Sequence, residues 1–271
     1  VAPGLYVVAT PIGNLGDLSE RAKRVLRDAI IVAAEDTRTS GTILRLAGSR
    51  ARMVSLTEHN VEQRTPELLA AAGEAAVALV SDAGTPVVAD PGGRLVAAAH
   101  VAAIPVFAVP GPSALAAAVS VSGFPGDDVH FLGFLPRSRG ERLERLRAAA
   151  AGASVLVFFE SPNRLAATLS ELASALSDPP VAVCRELTKL HEEVVRGAAS
   201  ELAERFTPTR GECTVVVDTH LCGTTDPQLE AMTAYMGEMQ RAGARRSLAA
   251  AEAARRFGAS REQAYALWDE S

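Results

Sequence analysis

Five short stretches hold the polar residues of the N-terminal half best placed to do chemistry: TPIGN (10–14), AEDTR (34–38), LTEHN (56–60), SDAGTPVVADPGG (81–93) and VPGPSA (109–114). A plain connection between elements needs about 2–6 residues. The 81–93 stretch is longer, sets Asp82 and Asp90 among Gly84, Pro86, Pro91, Gly92 and Gly93, and so does more than connect. Asp82 follows an apolar run directly and suits an amine or hydroxyl. Ser113 stands near a helix start, where free N–H groups take a carboxylate or hydroxyl. Gly84, Gly92 and Gly111 let backbone come close to a ligand, and Pro11, Pro86, Pro110 and Pro112 fix the loop shape beforehand. Together the five stretches read as a preformed binding rim.

Several chemistries are excluded. There is no G-x-G-x-x-G after the first apolar run, no G-x-x-x-x-G-K-[ST] and no G-x-S-x-G, which argues against a dinucleotide dehydrogenase, a P-loop enzyme and an ordinary α/β-hydrolase. Cys184, Cys213 and Cys222 are scattered and odd in number. They read as reduced thiols of a cytoplasmic protein. The five histidines form no His-x-x-x-His pair, and no metal is expected.

The elements that must position this rim follow from the apolar pattern. Strands are predicted at Leu5–Ala9, Ile30–Ala34, Met53–Leu56, Val77–Val80 and Val106–Val109. Helices are predicted at about 19–29, 39–47, 63–73, 93–103 and 113–122, the first opened by a capping box of Asp17 and Glu20. The strands are continuous apolar runs, the pattern of a parallel sheet buried on both faces. Such a sheet brings its strand-end loops to one side, where open α/β sheets bind ligands. Residues 123–128 read as a link to a second domain, with strands near 131–134, 155–159, 181–184, 193–195 and 214–218. Beyond Gly223–Pro227 the chain turns all-helical. Residues 247–268 read as two helices about Gly258, with a Ser260–Gln263 capping box, packing as a hairpin on their own domain. The expected division is 1–122, 123–222 and 223–271.

The net charge of −5 is not that of a basic protein, so a nucleic-acid partner needs a local positive face. PRSRGERLERLR (136–147) is one candidate. It also reads as a solvated helix, with Glu141 and Glu144 pairing with Arg145 and Arg147. No apolar run reaches the roughly 18 residues of a membrane span, and VAPGLYVVAT lacks the basic start of a signal peptide.

LYVVATPIGNLGDLSERA, AAEDTRTS, SLTEHN, SDAGTPVVADPGGRLV, VPGPSALAAAVSVSG, FLGFLPR, FFESPNRL, RELTKLHEE and RGECTVVV together closely resemble the bacterial 16S ribosomal RNA (cytidine-2′-O)-methyltransferases. That family acts on cytidine 1402 and belongs to the tetrapyrrole methylase superfamily. The resemblance runs from residue 5 to about 218. It implies two α/β domains of the tetrapyrrole methylase type with a small C-terminal helical appendage, S-adenosylmethionine (SAM) in the cleft between the domains, and a homodimer. Carried over position by position, the cofactor-binding residues are Pro11, Asp82, Gly84, Thr85, Ser113, Ala114, Phe159 and Glu212. The tetrapyrrole-acting branches have Gly-Asp-Pro where this chain has Ser81-Asp82-Ala83.

Methyl transfer from a sulfonium to a ribose 2′-hydroxyl needs alignment of oxygen, carbon and sulfur, and help for a weak nucleophile. From the polar loops, His59 or Glu160 is the candidate base and Lys189 the candidate cation beside the hydroxyl. Arg137, Arg139 and Arg142 are the candidate RNA contacts, with Arg245, Arg246, Arg255 and Arg256 as a second group. Two readings compete: a methylase of a tetrapyrrole or protein side chain, and a non-catalytic SAM-binding regulator.

Overall fold

The first strand, β1 (Gly4–Val8), ends in a 3-10 turn at Leu15–Asp17 that Asn14 caps by accepting from the Gly16 N–H at 2.9 Å. That turn takes up Asp17, so the expected capping box with Glu20 does not form. Ser19, in extended conformation, opens α1 (Glu20–Asp28) instead, its hydroxyl accepting from the Ala22 N–H at 3.1 Å. The computed structural model describes residues 1–220 and 227–270, apart from the side chains of 227–230, 262, 263, 266, 269 and 270.

Strands β2 (Ile31–Ala34), β3 (Arg52–Ser55), β4 (Ala76–Val80) and β5 (Val106–Val109) join β1 in an all-parallel sheet of order β3-β2-β4-β1-β5. The connecting helices are α2 (Thr37–Ala47), α3 (Val61–Glu74) and α4 (Gly93–Val101). Side chains alternate across a strand, and both faces are apolar here. Val8, Val32, Ala78 and Val80 pack against Leu26 and Ile43. On the other face Leu5, Ala33, Val77 and Leu79 pack against Leu68 and Leu95. Two-sided burial is what the continuous apolar runs encode.

The helix α5 (Ala114–Ser122) leads to a second, mixed sheet of β6 (Val129–Phe134), β7 (Val155–Glu160), β8 (Pro180–Arg185), β9 (Glu193–Ala198) and β10 (Cys213–Asp218). Its order is β6-β7-β10-β8-β9, with β6–β7 parallel and the other pairs antiparallel. Helices α6 (Arg139–Ala150), α7 (Pro162–Ala175) and α8 (Ala199–Arg205) cover one face through Leu146, Leu165, Leu169 and Leu202. The opposite face, with Val155, Val157, Ala182 and Val216, packs on Ala118 of α5, on Ile12 and on Leu187. That contact sets the strand-end loops of the first sheet against the second.

At the C-terminal end, α9 (Pro227–Arg241), α10 (Arg246–Phe257) and α11 (Arg261–Glu270) share their own apolar cluster of Met232, Met236, Ala249, Ala250, Ala253 and Ala264. The expected turn at Gly258 forms, with φ +65°. The hairpin closes on α9 through that cluster, because alanine faces allow close approach of the three helices. The Gln263 side chain of the expected second capping box, Cys222 and the expected 222/223 boundary lie outside the described residues. No helix among the described residues is long and apolar enough to cross a membrane.

Candidate active site

A cleft of about 440 Å³ lies where the loops of the first sheet meet the second sheet. Four of the five rim loops line it: Ile12 after β1, Glu35 after β2, the 82–90 loop after β4, and Ser113 and Ala114 after β5. The loop after β3 does not. β3 is the edge strand with β2 between it and the rest of the sheet, so His59 stays exposed on an outlying turn rather than among the lining residues. Asn60 shapes that turn, its side chain accepting from the Thr57 N–H at 2.8 Å and donating to the Ser55 carbonyl at 3.1 Å. His59 is therefore corrected as the base.

The loop after β4 is tied down at several points. Thr10 and Gly84 exchange backbone hydrogen bonds of 2.8 and 3.1 Å. Gly84 has φ +82°, and a Cβ there would sit 3.2 Å from Ile12 Cγ2, crowding the cleft floor. Thr85 donates to the Pro112 carbonyl at 3.1 Å. Asp82 Oδ1 accepts from the Asp36 N–H at 3.0 Å. Ser113 is the N-cap of α5, so the free N–H groups of the first turn stand at the cleft. Pro11 is buried and does not line the cleft; its neighbour Ile12 does.

Glu35, Asp82 and Asp90 make the first-domain wall acidic. Burial pushes Asp90 up from 3.8 to about 6, with the charges of Glu35 and Asp82 adding to the shift and the Ser81 hydroxyl opposing it. Burial, then Asp82, Asp36 and Glu58, raises Glu35 in the same direction. The folded state thus binds the Asp90 proton more tightly than the unfolded chain, and stability falls as pH rises from about 3.8 to about 6. Asp90→Asn removes that cost. Its melting temperature is expected above that of the unaltered protein at pH above about 6, the gap shrinking as pH falls towards 3.8. Thermal melts across that range check this. A gap that is constant with pH contradicts it.

The second sheet contributes Phe134, Phe159, Glu160, Glu212 and two thiols. Burial, and then Glu192, pushes Cys184 up to about 12, and burial pushes Cys213 up to about 11. Neither thiol is a thiolate nucleophile near neutral pH. Glu160 is 4% exposed, with both oxygens occupied. Oε1 accepts from the Ser161 N–H at 2.8 Å, while Oε2 takes the Thr168 hydroxyl at 2.9 Å and Arg164 at 3.1 Å. It braces β7 against α7, so a role as base would require it to give up one of these partners. Lys189 binds Glu186 and Glu212 at 2.8 Å each. Burial opposes its charge, but those two carboxylates outweigh it and raise its pKa. Lys189 is not a lining residue and reaches the cleft only through Glu212. Its stem lies so close to Gly13 that a Cβ there would fall 2.5 Å from Lys189 Cγ. Glycine at 13 is what lets the loop after β1 rest on the second domain.

Arg142 is also a correction. It is 6% exposed, with Nε and Nη2 on Glu171 at 2.7 and 2.8 Å and Nη1 on the Pro136 and Arg137 carbonyls. A guanidinium so committed is not offered to RNA. Arg145, expected to pair with Glu141 or Glu144, donates instead to the Leu132 carbonyl at 2.8 Å. Arg137 and Arg139 stay exposed. Of the C-terminal group, Arg255 pairs with Glu252, while Arg246 and Arg256 lie over Tyr265 and Tyr235.

Sequence reasoning missed Asp90 and Phe134 as individual lining residues, and a second concavity of about 400 Å³ bearing Arg185, Arg205 and Arg210. Glu193 pairs with both Arg185 and Arg205. Three cations face one carboxylate, and Arg210 adjoins the cleft residues Gly211 and Glu212. The signal for Asp90 was its place beside Asp82 in one loop. Arg185 stands in the RELTK stretch and Arg210 opens RGECTVVV, whereas Arg205 belongs to no motif.

A family model described as Tetrapyrrole (Corrin/Porphyrin) Methylases matches residues 4–203. The ribosomal RNA small subunit methyltransferase I of Micromonospora olivasterospora is 47% identical over 217 residues, 79% of this chain and 69% of that protein. The protein of the same name from Mesorhizobium japonicum is 48% identical over 221 residues, 79% of this chain and 75% of its own. Among solved structures, uroporphyrin-III C-methyltransferase from Thermus thermophilus, complexed with S-adenyl homocysteine, has a similar fold. Its TM-score is 0.55 at 22% identity, covering 79% of this chain and 97% of that one. The family match runs from β1 into α8, taking in the whole first sheet and strands β6 to β9 of the second, and this chain belongs to the tetrapyrrole methylase family.

Proposed function

We propose that the protein is a SAM-dependent methyltransferase that modifies small-subunit ribosomal RNA, at the ribose 2′-hydroxyl of cytidine 1402. The observation that carries this is the identity of 47–48% over 79% of the chain to proteins named for that RNA. The 2′-oxygen and the nucleotide rest on the motif resemblance. In this reading the acceptor is presented in the small subunit, and the enzyme is a cytoplasmic homodimer.

The residues of the cleft fit the cofactor. Glu35, Asp82 and Asp90 suit its cationic groups and ribose hydroxyls, the free N–H groups at Ser113–Ala114 suit its carboxylate, and Ile12 and Phe159 supply apolar contact. When bound, SAM supplies a methyl group already activated on a sulfonium. The chain then has to align the acceptor and receive a proton. Asp90, a lining carboxylate that burial pushes up to about 6, is the candidate to receive it. Arg137, Arg139, Arg205 and Arg210 give an otherwise acidic protein the local cations that an RNA backbone needs.

The test is to incubate the protein with labelled SAM and small ribosomal subunits lacking the modification, then digest the RNA and identify the methylated nucleoside by mass spectrometry. A single 2′-O-methylcytidine is the expected product. SAM binding without transfer to the subunits would sink the reading.

A further inference from the structure

Phe134 is 63% exposed, the one exposed aromatic among the described residues, and it lines the cleft. Its direction is set by a backbone irregularity. β6 pairs with β7 in regular register through Phe131, and the register shifts before Phe134. Gly133, between them, has φ +62°. In an unbroken strand Phe134 would share a face with Leu132, which is buried beneath the helices of the second domain. The extra residue reverses that parity. Phe134 instead joins Phe131 on the opposite side, and both rings make T-shaped contacts with Phe159, at 5.4 and 5.0 Å between centroids. Across the mouth stands the 82–90 loop, with Ala89 Cβ 3.8 Å from where a Gly133 Cβ would be. The bulge thus takes a large apolar ring out of reach of the core and presents it to solvent at the cleft entrance, braced from behind.

We propose that Phe134 is the stacking platform for the nucleobase of the nucleotide being methylated, a role that rests on the ribosomal RNA reading. A flat ring held out to solvent and steadied by a neighbouring ring is how proteins hold an unstacked base. The carboxylates and helix start suited to the cofactor come from the first domain, on the opposite wall. A base lying on Phe134 brings its ribose to the cleft mouth, where the 2′-hydroxyl faces inward.

The experiment uses the full-length protein with SAM and small ribosomal subunits lacking the modification, and compares Phe134→Ala, Phe134→Leu and Phe134→Trp. Exposure of the side chain makes all three compatible with folding. Phe134→Ala is expected to raise the KM for subunits about 10- to 100-fold, with SAM affinity by titration calorimetry within about twofold of the unaltered protein. Phe134→Leu, apolar but not planar, is expected to behave like Ala, and Phe134→Trp to restore the KM. A parallel loss of SAM affinity would make Phe134 a cofactor contact and overturn the proposal. Equal rescue by Leu and Trp, or no change with Ala, overturns it too. Failure of the unaltered protein to methylate subunits at all removes the ribosomal RNA reading and the proposal with it.

Discussion

Asp82→Asn is expected to weaken SAM binding about 10- to 100-fold, the range for losing a hydrogen bond to a charged group. The substitution is chosen to separate two jobs. Oδ1 of Asp82 accepts the Asp36 N–H at 3.0 Å and so holds the loop after β2 against the loop after β4. An asparagine oxygen keeps that bond. What is lost is the negative charge at a wall that would face a cationic cofactor. The melting temperature therefore stays near that of the unaltered protein while affinity, read by titration calorimetry, falls. A second effect follows from the same charge. Asp82 helps to hold Asp90 and Glu35 above their ordinary range, so its neutralisation lets Asp90 titrate lower. Affinity within twofold of the unaltered protein would remove Asp82 from the cofactor site.

Arg142→Ala is expected to destabilise the second domain by about 3–5 kcal/mol, the cost of leaving one member of a buried ion pair alone. Glu171 would keep its charge with only Arg139 nearby, at 3.7 Å and largely exposed. The Pro136 and Arg137 carbonyls would lose their donor as well. Arg164 still holds the Leu135 and Pro136 carbonyls, so the segment after Phe134 loosens without detaching. Arg142→Met combined with Glu171→Leu is expected to recover most of the loss, because removing both partners also removes their desolvation. Urea unfolding of the single and double variants decides this. A single variant as stable as the unaltered protein would show that the guanidinium is dispensable, and would reopen Arg142 as an RNA contact.

What the sequence determined by itself was most of what near neighbours govern, the Asp17–Glu20 capping box excepted. Continuous apolar runs set parallel strands buried on both faces, glycine and proline marked the loops that follow them, and the motif series carried the family. Asp82, Gly84, Thr85, Ser113, Ala114, Phe159 and Glu212 all line one cleft, because parallel strands send their ends to one side and α5 docks the second sheet there. Tertiary structure decided the rest, through strand order and long-range partners. His59 sits in a rim loop by sequence, yet β3 is an edge strand and its loop falls short of the cleft. Arg142 reads as one cation in a charged helix, yet its carboxylate arrives from a different helix, 29 residues on. Lys189 follows a strand end, yet Glu212, 23 residues away, takes its ammonium. Phe134 reads as the next residue of an apolar strand, and a single bulge at Gly133 turns it from the core to the cleft mouth. Periodicity reports which residues share a face, but which face meets which neighbour is fixed only when the sheets pack. Charged side chains are the most exposed to that difference, since burial decides whether a charge is free for a ligand or must be matched within the fold.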